Sequence, residues 1–334
     1  MKHIVFAFML ATAAARAQIV IPANNLGTDG ALNLSNQTRT IALGAARTGN
    51  WEEAGDGNGI FDPEKWAVVF KYSSVNISGA STLTFANHPS GAPVVWLVDG
   101  DVTISGVVNL DGKPGGTATL FAEPGPGGFR GGAGIGNGGS STSGFGPGGG
   151  RRGHGAGAGS YGTRGSNSGT QVPAGDVYGT DDILPLIGGS GGGADGSLGG
   201  GAGGGAILIV ASGTISLGFN SAGIYARGGS AQPSAAGPGG GSGGAIRLVC
   251  DRFTTEVTSK LEARGGGYSG GQGSVWFGGM GRIRIETNLN EGTIATTPPA
   301  SIATVGTTAR IWPDPEEMSI AAVMLGNSPL PADP

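Results

Sequence analysis

Two stretches of the chain carry the same alternation of apolar and polar positions. "VVFKYSSVNISGASTL" (68–83) falls on "VWLVDGDVTISGVVNL" (95–110) after a gap-free shift of 27 residues, matching Val75 with Val102, Ile77 with Ile104, Gly79 with Gly106 and Leu83 with Leu110. The pattern returns in "AILIVASGTISLGFNSAGIYARGG" (206–229) and "AIRLVCDRFTTEVTSKLEARGG" (245–266), and fades in "RIRIETNLNEGTIAT" (282–296). Each unit reads as an apolar strand, a polar or glycine corner, a second strand of strict alternation, a turn and a third short strand. Side chains alternate across a strand, so Ile207, Ile209, Ile215 and Leu217 share the inward side while Thr214 and Ser216 face outward.

Near-identical units of this length are the sequence mark of a solenoid. One coil of three short strands cannot bury its own apolar face, whereas stacked coils bury each other's, at about 4.8 Å per rung. The predicted fold is therefore all-β, a parallel β-helix (β-solenoid) with a long glycine-rich insertion. The alternative is an antiparallel β-sandwich, which also shows short alternating strands and frequent turns but does not normally repeat its strands in near-identical units.

The repeats divide the chain. Residues 1–17, "MKHIVFAFMLATAAARA", join a basic start, an apolar stretch and an Ala15-Arg16-Ala17 site, the pattern of a signal peptide cut before Gln18. A membrane anchor needs about 20 apolar residues, more than this stretch has. Residues 18–66, with the patches "IVIPANN" and "TIALGAA", read as an N-terminal cap and first strands. The solenoid takes 67–296 and carries the insertion at 112–205. From 297 to 334 proline replaces glycine, and "ARIW" and "SIAAVML" read as the start of an incomplete second element.

Glycine changes the picture most, at 72 of 334 residues against a usual share of roughly 7%. Each ordered glycine costs more backbone entropy than any other residue, so something must offset that cost. At corners it supplies positive φ without steric penalty. Within the insertion, extended glycine chains bonded laterally through their backbones would pack on the solenoid wall. Ile183, Leu184, Leu186 and Ile187 are placed to dock there, and Phe129, Phe145, Tyr161 and Tyr178 are spaced as anchors. No strict Gly-X-Y period appears, which excludes collagen.

Charge and candidate chemistry add less. Removing Lys2 and Arg16 with the signal peptide leaves 17 of the 19 basic residues against 23 acidic ones, a net −6 that argues against nucleic acid as a partner. No segment after the signal peptide is long and apolar enough to span a membrane. The single cysteine, Cys250 in "AIRLVCD", rules out an intramolecular disulfide and reads as a buried structural thiol. In "EEAGDGNGIFDPE", Asp56, Asn58, the Ile60 carbonyl and Asp62 have the alternate spacing of a calcium loop. The twelfth position holds Ala67 instead of glutamate, so a solvated acidic turn is the other reading. Calcium is the one cofactor considered.

After cleavage only His88 and His154 remain, too few for a histidine metal site or a Ser/His/Asp arrangement, and no catalytic residue is assigned. A polysaccharide-cleaving β-helix would draw on Asp99, Asp101 and Asp111 with Arg247, Arg282 and Arg284. "GSYGTRG" and "GGGAGGG" lack the lysine and the strand-loop-helix setting of a phosphate loop. Thr does not recur at the outward position as an ice- or mineral-binding ladder would require.

The ordered blocks "GNGIFDP", "PGGFRGG", "GSYGTRG", "ILPLIGGSGGG", "GGGAILIVASGTISL", "GGSGGAIRLV" and "GRIRIE" resemble a group of uncharacterised, secreted, glycine-rich bacterial β-repeat proteins. The resemblance implies an exported repetitive β-protein of the envelope or extracellular space, with no settled activity and no catalytic residues to carry over. In such proteins the segment after "PLPADP" is often followed by further sequence. The expected function is a secreted or cell-surface structural or adhesive protein, a non-catalytic scaffold contacting envelope or extracellular glycans. The alternative is a carbohydrate-active enzyme, a polysaccharide lyase or hydrolase, on a β-helix.

Overall fold

A computed structural model describes residues 18–117, 119–135, 140–167, 172–218, 222–232, 237–267 and 277–313. The proposed signal peptide and "SIAAVML" lie outside the described residues. Among the described residues the chain forms strands and a single 3₁₀ turn, Leu43–Ala45. The strands are β1 (Ala31–Ser35), β2 (Thr38–Ala42), β3 (Arg47–Thr48), β4 (Ile60–Asp62), β5 (Ala67–Tyr72), β6 (Ser74–Ser78), β7 (Thr82–Ala86), β8 (Val94–Val98) and β9 (Val102–Ile104). They continue as β10 (Val107–Asn109), β11 (Ala206–Leu217), β12 (Gly223–Tyr225), β13 (Ala245–Thr255), β14 (Lys260–Glu262), β15 (Arg282–Glu291), β16 (Ala295–Thr297) and β17 (Ser301–Ala303).

Two sheets result. The smaller has the order β16-β14-β12-β10-β7-β2; the larger joins β1, β6, β9, β11, β8, β5, β4 and β3 and extends through β13 and β15 to β17. All ladders between these strands are parallel except β4 against β5. That overturns the antiparallel sandwich, since parallel neighbours cannot be joined by hairpins and need a crossover between them. Here the crossover runs through the other sheet: β5 and β6 lead to β7, and β8 and β9 lead to β10, before the next tier begins. β11 is long enough to pair with β8 through its first half and β9 through its second.

Inward side chains form columns through the tiers. Phe70, Trp96, Ile209, Leu248 and Ile285 stack in one, and Val75, Val102, Ile215 and Phe253 in another, all nearly or wholly buried between the sheets. Burying each such side chain is worth about 1.5–3 kcal/mol. The 27-residue shift holds at Val75↔Val102 and Ile77↔Ile104. It slips elsewhere: Val68 pairs with Val94, and Leu83 with Val108. The corners cause the slip, because Ser73 alone links β5 to β6 whereas residues 99–101 link β8 to β9.

The glycine-rich segments are not loops. Residues 199–205 are all buried, lie in no strand, and avoid the left-handed φ region, yet every N–H donates. The donors at 199, 202 and 205 reach the carbonyls of Gly116, Lys113 and Leu110; those at 200 and 203 reach Gly132 and Phe129; those at 201 and 204 reach Gly239 and Ser242. A bonding direction that recurs every third residue is that of a polyproline II helix, which has three residues per turn and no internal hydrogen bonds. Residues 187–194 repeat the scheme: Gly189 and Gly192 donate to Gly204 and Gly201, while Gly191 and Ala194 donate to Phe145 and Thr142. The leg 239–244 donates to Gly193 and Ser190, to Gly229 and Ala226, and to Gly279. Extended legs thus form a bundle cross-linked on several sides by backbone bonds.

Glycine thus has both of the roles expected for it, at corners and in laterally bonded extended chains. Gly79 and Gly91 do turn the chain at positive φ. In the bundle the reason is distance: a Cβ on Gly203 would lie 1.8 Å from the Gly189 oxygen, and one on Gly244 1.8 Å from the Gly205 oxygen. The legs approach so closely that only hydrogen fits between them.

The bundle is continuous with the sheets. Legs 110–116, 226–230 and 263–267 leave directly from β10, β12 and β14; legs 199–205, 239–244 and 278–281 enter β11, β13 and β15. The ladder runs on across the junction through Gly205 N–H to Leu110, Gly244 N–H to Ala226 and Ala245 N–H to Gly205. A second apolar core covers the outer face of β5, β8, β11 and β13. There Val69, Leu97, Leu208 and Val210 pack with Phe129, Tyr161, Ile183, Leu186 and Ile187, as the insertion's apolar anchors required. Ile19, Ile21, Ala309 and Ile311 complete that layer, so "ARIW" is a buried crossing segment and not a strand.

Candidate interaction surface

One end of the bundle abuts the sheets; the other carries its connections. Around this distal end Ile135 N–H donates to Gly196 at 2.7 Å, Thr117 bridges to Leu198, and Gly153 N–H donates to Ala194. Arg152 Nη1 donates to the Ser141 carbonyl at 2.7 Å, and Asp195 accepts from Gly155 N–H at 3.0 Å. Segments around Thr117, Ile135 and Ser141, with 152–156 and 195–198, are therefore gathered on one face and cross-bonded there. Leu120, Phe121 and Ile135, exposed large apolar residues, belong to these segments. The sequence held the glycine runs that build this face, but nothing in it says which loops meet.

Inside the bundle, serine replaces glycine where a hydroxyl returns a bond. Ser242 Oγ accepts from Ser190 N–H at 2.8 Å; Ser190 Oγ accepts from Gly148 N–H and donates to Tyr178, whose hydroxyl donates to the Gly188 carbonyl. Tyr161, fully buried, has a hydroxyl without a hydrogen-bond partner among the described residues. Burial raises the phenols of Tyr161 and Tyr178 above their ordinary range. These residues fix the legs against one another; Tyr161, Ser190 and Ser242 are buried and Tyr178 is partly buried.

The proposed calcium-loop residues sit at the start of the larger sheet. Asp56 is exposed at positive φ, Asn58 is exposed, and Ile60 lies in β4 opposite Val69. Asp62 is buried, its carboxylate accepting from the N–H groups of Trp51, Glu64 and Lys65. The loop closes on the chain's own charges. Asp29 accepts from Gly57, Gly59 and Lys71 N–H groups, and the buried Lys71 ammonium donates to the carbonyls of Trp51 and Glu53. Burial lowers the Lys71 pKa, with Asp29 opposing that shift. Among the described residues no three His, Cys, Asp or Glu side chains lie together as a metal site.

The proposed polysaccharide-cleaving residues do not converge. Arg247, buried, pairs with Glu286 at 2.7 Å; Arg284 pairs with Glu286 and Asp182, and Arg282 with Asp181. These pairs tie the 181–187 segment to β13 and β15. Asp111 is held by Arg227, and Asp101 accepts from Thr214 N–H, on other tiers. Asp99 is exposed. Cys250 is fully buried in the inner core and its thiol is pushed up to about 12 by burial. His88, lowered by burial, stacks on Phe61 at 4.0 Å and bonds to Ser90.

No protein-family model matches the chain, and neither a curated protein nor a solved structure shows detectable similarity to it. Among the described residues no helix is long and apolar enough to cross a membrane.

Proposed function

We propose that the chain is a secreted or cell-surface scaffold without catalytic activity, a parallel β-helix whose polyglycine bundle displays loops to envelope or extracellular glycans. The single observation that carries this reading is the continuity of legs and strands: each tier sets the position of the legs it sends out, and the legs set where the distal segments emerge. Rigid presentation lowers the entropy that a binding surface loses on contact. The pairing of Arg247, Arg282 and Arg284 with Glu286, Asp181 and Asp182 supports a structural use of the charges that a polysaccharide-cleaving site would need.

The test is a glycan-array screen of the secreted chain, with and without calcium. Binding is expected and is expected to fall in the variant Leu120→Ser with Ile135→Ser, both exposed at the distal end. It should survive Val257→Ser, exposed at a corner of the smaller sheet. Absence of glycan binding, or equal loss in the Val257 variant, would remove the display reading. Release of new sugar ends from a bound polysaccharide would favour the enzyme instead.

A further inference from the structure

Most of the described arginines have an ion-pair partner. Arg47, Arg130, Arg164, Arg227, Arg247, Arg252, Arg264, Arg282 and Arg284 each have a carboxylate within ion-pair distance. Arg39 on β2, and Arg151 with Arg152 at the distal end of the bundle, have no such partner among the described residues. His154 joins the latter two. It is exposed, and its acidic neighbour, Asp195 at 3.8 Å, already holds Gly155 N–H.

Building on the display reading above, we propose that Arg151, Arg152 and His154 form a contact point for an anionic polysaccharide. The backbone beneath them is fixed: Gly157 N–H donates to the Arg151 carbonyl at 2.9 Å, and Gly153 N–H to Ala194 at 3.2 Å. Arg152 spends one donor on Ser141 and keeps the rest of its guanidinium fork for a sulfate or carboxylate. Arg151 N–H donates to the Pro173 carbonyl at 3.4 Å and Arg152 N–H to Ser143 Oγ at 3.2 Å, so the two successive residues are turned to different sides and can reach separate anionic groups. The chain as a whole is acidic. A stiff nucleic-acid duplex lying along it would be repelled beyond this corner, whereas a flexible anionic polysaccharide can be met by one cationic end.

The experiment measures binding of the full secreted chain to immobilised dextran sulfate and to uncharged dextran, at low and raised salt. Dextran sulfate is expected to bind, more weakly at raised salt because exposed pairs are screened, and dextran is not. Arg151→Gln with Arg152→Gln should weaken binding by about fivefold, the loss of two exposed pairs; Arg39→Gln should leave it unchanged. Circular dichroism checks that the variants stay folded, which exposed positions favour. An equal loss in the Arg39 variant, failure of dextran sulfate to bind, equal binding of dextran, or tighter binding of a single-stranded oligonucleotide would each overturn the proposal. Glycan binding that depends on Leu120 and Ile135 but ignores Arg151 and Arg152 would also overturn it, and would leave the display reading intact.

Discussion

Gly203→Ala is the sharpest perturbation of the bundle. The added Cβ would lie 1.8 Å from the Gly189 oxygen and 2.2 Å from its carbonyl carbon, and must recede by at least 1.2 Å to reach even 3.0 Å. Neither neighbour can swing aside, since both atoms are backbone in a buried leg. A shift of that size breaks the bond from Gly203 N–H to Phe129 (2.9 Å) and the bond that Gly203 accepts from Gly125 (3.2 Å), and it strains Gly189 N–H to Gly204 (2.8 Å). Two or three bonds at about 1 kcal/mol each, with overpacking of about 1–3 kcal/mol, give a loss of about 3–6 kcal/mol. The stiffer unfolded chain returns at most about 1 kcal/mol. Gly116→Ala is the matched control: its nearest neighbours, Leu120 Cβ and oxygen, stand at 3.5 Å, and its φ is not left-handed. It is predicted to leave stability unchanged or raise it by up to about 1 kcal/mol. Urea unfolding followed by tryptophan fluorescence reads both. Near-equal midpoints for the two variants would refute the close-packing argument.

Tyr161→Phe removes a buried hydroxyl that has no hydrogen-bond partner among the described residues, and should raise the unfolding midpoint by about 1 kcal/mol in free energy. Tyr178→Phe, which breaks its bonds to Gly188 and Ser190, should lower it by about 1–2 kcal/mol; the opposite order in thermal melts would contradict the assigned contacts. Burial raises the folded-state pKa of Tyr72, Tyr161 and Tyr178. Their contribution is therefore fully present below the unfolded value, near pH 10, and is lost as pH rises from there toward the raised folded values. Absorbance titration of the native chain should show these phenols silent at pH 10; if they titrate there without unfolding, the burial is wrong. Cys250, with its thiol raised to about 12, should resist alkylation at pH 8 until urea is added, as mass spectrometry would show.

Much of the architecture is legible because apolar alternation survives in every tier. Ile207, Ile209, Ile215 and Leu217 face the inner core as their spacing requires, and Ile183, Leu186, Ile187, Phe129 and Tyr161 dock on the outer face. The register of flanking strands was not legible, because corner length varies between tiers and alternation fixes a face without fixing a partner. Which of its two roles a given glycine plays was not legible for a different reason. A turn glycine and a close-packed glycine are the same letter, and only the neighbouring leg, often tens of residues away, distinguishes Gly79 from Gly203. The partners of the acidic loop were not legible either, since Asp29 and Lys71, which bond to it, lie outside the motif.

The central claim is that the glycine runs are ordered legs bonded through their own backbones. Native-state amide hydrogen exchange tests it directly on peptides spanning 199–205 and the adjoining strand residues 206–211. Each amide of 199–205 donates to a neighbouring leg, so the two peptides should exchange at similarly slow rates. Exchange of 199–205 at the speed of an unstructured chain, beside a protected 206–211, would contradict the account.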